Sequence, residues 1–108
     1  MKKFECMLMA GGINRIEFHK GQPNYKALIK FQGKSSIEYV LAALKKCKYV
    51  KKVVLCGPPL VKGYKAVGSR GYILNAINKC SRHIEGENIF VTMADLPLLR
   101  TEMLNAFF

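Results

Sequence analysis

The chain has 108 residues, half of them hydrophobic, which fits one modest domain and excludes wholesale disorder. Its 18 Lys and Arg against 7 acids leave a net charge of +11, favouring anionic partners such as nucleotides, phosphorylated metabolites or nucleic acid. No apolar run approaches the ~20 residues of a membrane span, and the start "MKKFECMLMAGG" is too short in apolar residues for a signal peptide, so a cytoplasmic protein is expected.

"FECMLMA" (4–10) is a near-continuous apolar run, as in a central parallel strand covered on both faces. It stops on Gly11-Gly12, with Arg15 three residues later. Two glycines at a strand end make either a tight turn or a place where a ligand meets bare backbone, and the arginine suggests an anion. Residues 13–34 read mostly as loop, with a brief extended piece at "ALIKF". "SSIEYVLAALKKC" (35–47) carries Ile37, Val40, Leu41 and Leu44 at helical spacing, and Ser35 with Glu38 fits a capping box.

The densest basic cluster, "KKCKYVKK" (45–52), reads as a helix end whose cations complement the macrodipole, followed by a solvated turn. It lacks the interleaved aromatics of a single-strand stacking platform, so nucleic acid is not the expected partner. "KKVVLCG" (51–57) is a second buried strand, and 57–71 a loop with room for one short strand. "YILNAINKCSRHI" (72–84) repeats the helical spacing, and "NIFVTMAD" (88–95) is a third buried strand ending on Asp95. Leu96-Pro97 breaks it, and Thr101 is placed to cap a last helix, "EMLNAFF". Cys6, Cys47, Cys56 and Cys80 show no CxxC spacing and sit among apolar residues, so they are expected to be reduced, buried thiols. His19 and His83 belong to no recognisable motif.

The order β-α-β-(β)-α-β-α implies an α/β domain with a mainly parallel sheet. Right-handed crossovers bring the ends of the first and last strands to one edge, the carboxyl edge, where such sheets bind ligands. Gly11-Gly12 and Asp95 therefore meet there. Two common phosphate motifs fail. For a P-loop ending in Gly33-Lys34-Ser35, Leu28 stands where the first glycine belongs. For a dinucleotide fingerprint, 66–71 lacks its first glycine.

"LMAGGINR", "YKALIKFQGKSSIEYVLAALKKC", "VVLCG" and "VTMADLPLL", in that order, resemble the amino-terminal half of the MobA-like NTP transferases, relatives of molybdenum-cofactor guanylyltransferase and of sugar-phosphate nucleotidyltransferases. The resemblance spans nearly the whole chain. It implies a Rossmann-like sheet of the nucleotide-diphospho-sugar transferase type and a Mg²⁺-dependent transfer of an NMP unit to a phosphorylated or cofactor-like small-molecule acceptor, with release of pyrophosphate.

The resemblance also implies roles. Ala10, Gly11 and Gly12 match the glycine-rich loop whose N–H groups approach the nucleotide. Arg15 matches the basic residue on the phosphates, although the family sets it one residue further from the glycines. Lys26 matches the lysine that reaches the triphosphate, Asp95 the aspartate that binds Mg²⁺, and Asn75, most loosely, a residue near base or ribose. A triphosphate carries about four negative charges, so such catalysis is mostly positioning and charge stabilisation. The family continues past the point matching Phe108. The chain is thus expected to be the NTP-binding half, truncated at its C-terminal end and inactive alone or nearly so, with an open sheet edge that invites a partner segment, a dimer or poor solubility. A non-catalytic nucleotide-binding module is the main alternative, and a basic nucleic-acid-binding domain the lesser one.

Overall fold

Cys6, Met7 and Leu8 are almost fully buried because the strand that carries them has neighbours on both edges and helices over both faces. In the computed structural model, which describes residues 3–12, 25–68 and 73–108, this strand is β1 (Phe4–Met9). A short 3-10 turn (Lys26–Leu28) follows, then a two-rung antiparallel hairpin, β2 (Lys30–Phe31) and β3 (Lys34–Ser35). Next come α1 (Ser36–Lys46), β4 (Val50–Cys56), β5 (Lys65–Val67), α2 (Ile73–Ser81), β6 (Ile89–Met93) and α3 (Thr101–Phe107).

The main sheet has the order β5-β4-β1-β6 and every pair in it is parallel. This is the α/β, mainly parallel sheet expected from the order of elements, in the Rossmann-like form that the resemblance implies. One face packs Cys6, Leu8, Ala10 and Leu55 against Ile37, Val40, Leu41 and Leu44 of α1 and Leu104 of α3. The other face packs Met7, Met9 and Cys56 against Cys80, Ala76 and Ile77 of α2. Among the described residues no helix is long and apolar enough to cross a membrane.

Several local expectations need correction. Ser35 does stand at the N-cap of α1, but its side chain makes no capping hydrogen bond. The neighbouring Ser36 carries the useful hydroxyl instead, donating to the Ala94 carbonyl at 2.7 Å. Thr101 is the first residue of α3 rather than its cap; its hydroxyl donates to the Ala43 carbonyl and ties α3 to α1. Cys56 and Cys80 are not free thiols: they form a disulfide, Cα–Cα 6.1 Å, because α2 lays Cys80 directly over the end of β4. Cys6 and Cys47 are free and buried, as expected.

The third strand is also less buried than its composition suggests. β6 lies at the sheet edge, so Phe90 and Thr92 face the α1–α3 layer while Ile89, Val91 and Met93 are each about two-fifths exposed. Glu5 is the reverse case, a carboxylate buried in β1 that accepts the Gly86 N–H at 2.5 Å. That bond fixes the loop leading into β6. Lys45 and Lys46 occupy the last turn of α1, where cations complement the helix dipole.

Candidate functional site

The carboxyl ends of β1 and β6 lie side by side, with Met9 opposite Met93. The ladder runs one residue further, because the Ala94 N–H donates to the Met9 carbonyl at 2.9 Å. On the other edge the Ala10 N–H donates to the Cys56 carbonyl, also at 2.9 Å. The Met9–Ala10 peptide is therefore held between two strands, by its carbonyl on one side and its N–H on the other, and the chain leaves the sheet at Gly11 from a fixed point.

Gly57 sets how the chain leaves. It follows β4 directly, has φ +146°, and packs on the Ala10–Gly11 peptide so closely that a Cβ there would lie 2.8 Å from the Gly11 nitrogen. Only glycine fits such an approach with that backbone angle. Gly11 itself has ordinary space: a Cβ on it would meet nothing nearer than the Gly57 Cα at 3.7 Å. The Lys26 N–H then donates to the Gly12 carbonyl at 2.9 Å, which brings the 3-10 turn back against the glycines.

These elements enclose a cleft of about 70 Å³ lined by Met9, Ala10, Gly12, Lys26, Ala27, Met93, Ala94 and Asp95. Four residues singled out in the sequence, Ala10, Gly12, Lys26 and Asp95, thus share one cavity at the carboxyl edge. Gly12, Lys26 and Asp95 are exposed and accessible to a ligand. Gly11 stands in the same turn, backed by Gly57. Asn75 is exposed on α2 and does not line the cleft. Arg15 lies outside the described residues, as does His19. Gly57 was missed in the sequence, although a glycine directly after the second buried strand marks the same productive edge. Ser36 was missed too, and no local signal separates it from Ser35.

Chemically the cleft offers one mobile cation, one carboxylate and bare backbone. Among the described residues no cluster of three or more His, Cys, Asp or Glu side chains could hold a metal unaided. Magnesium does not require one, since it takes one or two carboxylates and fills its octahedron with substrate oxygens and water. Asp95 is a hard oxygen donor at the cleft wall and fits that partial role.

The match to known proteins agrees with this geometry. Residues 6–108 fit the model of the MobA-like NTP transferase domain. The chain belongs to that family. No curated protein sequence matches it. Among solved structures, a hypothetical transferase from Thermus thermophilus shares 25% identity at a TM-score of 0.77, over 94% of this chain and 44% of its own. A Mycobacterium tuberculosis H37Rv protein matches at 12% identity and TM-score 0.75, over 98% of this chain and 58% of its own. A CMP:2-keto-3-deoxy-manno-octonic acid synthetase, solved in complex with CTP, matches at 16% identity and TM-score 0.68, over 98% and 45%. The last two likenesses are of fold. The MobA-like chain spans about half the length of these structures.

Proposed function

We propose that this MobA-like domain binds a nucleoside triphosphate with Mg²⁺ in the cleft and serves the transfer of its NMP unit to a phosphorylated or cofactor-like acceptor. An acceptor oxygen forms a bond to the α-phosphorus while the α–β bridging bond breaks, and pyrophosphate leaves with the electron pair. The observation that carries this reading is the placing of Lys26 and Asp95 on one cleft beside the glycine turn, at the carboxyl ends of adjacent parallel strands.

In this reading the Ala10–Gly12 backbone admits the phosphates without a side chain in the way. Lys26 supplies a point charge to the triphosphate, strongest as negative charge builds on the leaving group. Arg15 adds a planar fork for phosphate oxygens, and Asn75, which stands outside the cleft, serves a base or ribose that extends beyond it. Asp95 holds Mg²⁺, which screens the phosphate charge and orients its oxygens. The roles assigned to these residues all concern the nucleotide side of the reaction.

The experiment is a thermal melt against GTP, CTP, ATP and UTP, each with and without Mg²⁺. One nucleotide should give a saturable, Mg²⁺-dependent rise, about 2.7 kcal/mol at a hundred times its Kd. Asp95→Ala should remove the Mg²⁺-dependent part and keep the unliganded melt, whereas Lys26→Ala should weaken binding under both conditions. A cooperative melt that no nucleotide moves, or Mg²⁺ dependence that survives Asp95→Ala, overturns the assignment.

A further inference from the structure

The walls of the cleft are joined by a closed circuit of hydrogen bonds. From β1 the chain runs through Met9 to Gly12, whose carbonyl accepts the Lys26 N–H at 2.9 Å. The Lys26 carbonyl accepts the Ile29 N–H at 3.2 Å, and the Ile29 carbonyl accepts the Ser36 N–H at 2.8 Å. The Ser36 hydroxyl donates to the Ala94 carbonyl at 2.7 Å, and the Ala94 N–H returns to the Met9 carbonyl at 2.9 Å. Met9, Gly12, Lys26 and Ala94, four members of this circuit, also line the cleft.

Every link is backbone to backbone except one. That link, Ser36 Oγ–H to Ala94, spans 58 positions of sequence and is shut away from water, Ser36 and Ala94 each being 1% exposed. Ser36 is the first residue of α1, so it is held in place by a helix packed on the core. Its N–H anchors the segment that carries Lys26, and its hydroxyl anchors the residue directly before Asp95. One residue therefore couples the cationic wall to the anionic wall.

We infer that Ser36 is a positioning residue that sets the placement of Asp95 relative to Lys26, and so tunes the Mg²⁺-linked part of nucleotide binding. The inference rests on the nucleotide reading above. It touches neither ligand nor metal directly. Without the hydroxyl, the buried Ala94 carbonyl has no donor left among the described residues, and the turn bearing Asp95 can move to find another. Alanine opens the circuit at its single side-chain link and leaves every backbone link available.

The test compares Ser36→Ala, Ser36→Thr, Asp95→Ala and the Ser36→Ala/Asp95→Ala double variant with the unmodified chain. Two readouts are needed: amide hydrogen exchange, and nucleotide affinity with Mg²⁺ and with EDTA. In Ser36→Ala, exchange should quicken about tenfold at the Asp95 turn, while the interior of α1 keeps its protection. The Mg²⁺-linked gain in affinity should fall about tenfold, with less than about a twofold change in EDTA. Ser36→Thr, which keeps the hydroxyl, should restore most of that gain, and the double variant should lose no more of it than Asp95→Ala alone.

If the unmodified chain shows the Mg²⁺-linked gain and Ser36→Ala keeps it, the positioning role is overturned, even where the melting temperature drops. If Asp95-turn exchange is unchanged in Ser36→Ala, it is overturned on structural grounds alone. A lack of any Mg²⁺-linked gain in the unmodified chain is a separate failure. It removes the nucleotide reading, and this role with it, before any variant is compared.

Discussion

Replacing Gly57 by alanine tests whether the close approach of β4's end to the glycine turn holds that turn in place. The added Cβ would stand 2.8 Å from the Gly11 nitrogen and 3.0 Å from both the Ala10 carbonyl carbon and the Gly11 Cα. All three are backbone atoms, so no side chain can swing aside. Relief requires β4's end or the glycine turn to shift, at a cost of about 1–3 kcal/mol. The backbone angle of +146° adds a comparable penalty for any residue with a Cβ.

The expected total is about 3 kcal/mol, on the order of 15 °C in melting temperature for a domain of this size. Two controls separate the contributions. Gly33→Ala, at φ +87° in open space, carries the conformational cost alone, roughly 1 kcal/mol. Gly11→Ala, whose Cβ would meet only ordinary contacts at 3.7 and 3.8 Å, should cost less than Gly57→Ala. Urea unfolding followed by far-UV circular dichroism gives the stabilities, and the nucleotide melt reads the turn itself. If Gly57→Ala lies within about 0.5 kcal/mol of Gly33→Ala, the neighbouring backbone yields freely and the packing argument is wrong.

Three further outcomes are expected. The Cys56–Cys80 bond closes a loop with a sequence separation of 24 and should contribute about 3 kcal/mol, so a dithiol reductant and Cys80→Ala should lower the melt alike; equal melts with and without reductant would refute the link. Burial, with a smaller contribution from Cys47, pushes the Cys6 thiol from 9.0 up to about 12. Between those values the unfolded chain has lost the proton and the folded chain keeps it, so the stability present below pH 9 falls by up to about 1.4 kcal/mol per pH unit on going higher. Cys6→Ala should flatten that part of the alkaline urea profile, and an unchanged slope would refute it. The exposed Ile89, Val91 and Met93 face should drive concentration-dependent association in sedimentation velocity that Val91→Lys reduces; identical sedimentation of the two chains would count against it.

What the sequence made legible follows from what is local. The apolar runs of β1 and β4 and the spacing of Ile37, Val40, Leu41 and Leu44 report burial directly, because the chain on either side decides it. The meeting of Gly12 with Asp95 was legible by topology, since parallel strands share a carboxyl edge. Beyond that the signal ends. "NIFVTMAD" has the same apolar character as "FECMLMA", yet one strand lies at the edge and the other at the centre, and only neighbours far along the chain make the difference. The cysteine pairing depends on where α2 lands over β4. Ser35 and Ser36 are adjacent and chemically alike, and the partner that gives Ser36 its task is 58 residues away.

The place of β1 in the middle of the sheet bears on the order in which the molecule can assemble. Phe4–Met9 has no sequential neighbour as a partner: it waits for Val50–Cys56 on one edge and Ile89–Met93 on the other. This apolar strand therefore keeps one edge open until Val50–Cys56 is available and the other until Ile89–Met93 is. Long-range parallel pairing of this kind is slow and exposed to aggregation. It also means that Gly12 and Asp95 cannot face each other until Ile89–Met93 has docked, so the cleft depends on pairing between segments about eighty residues apart in the chain.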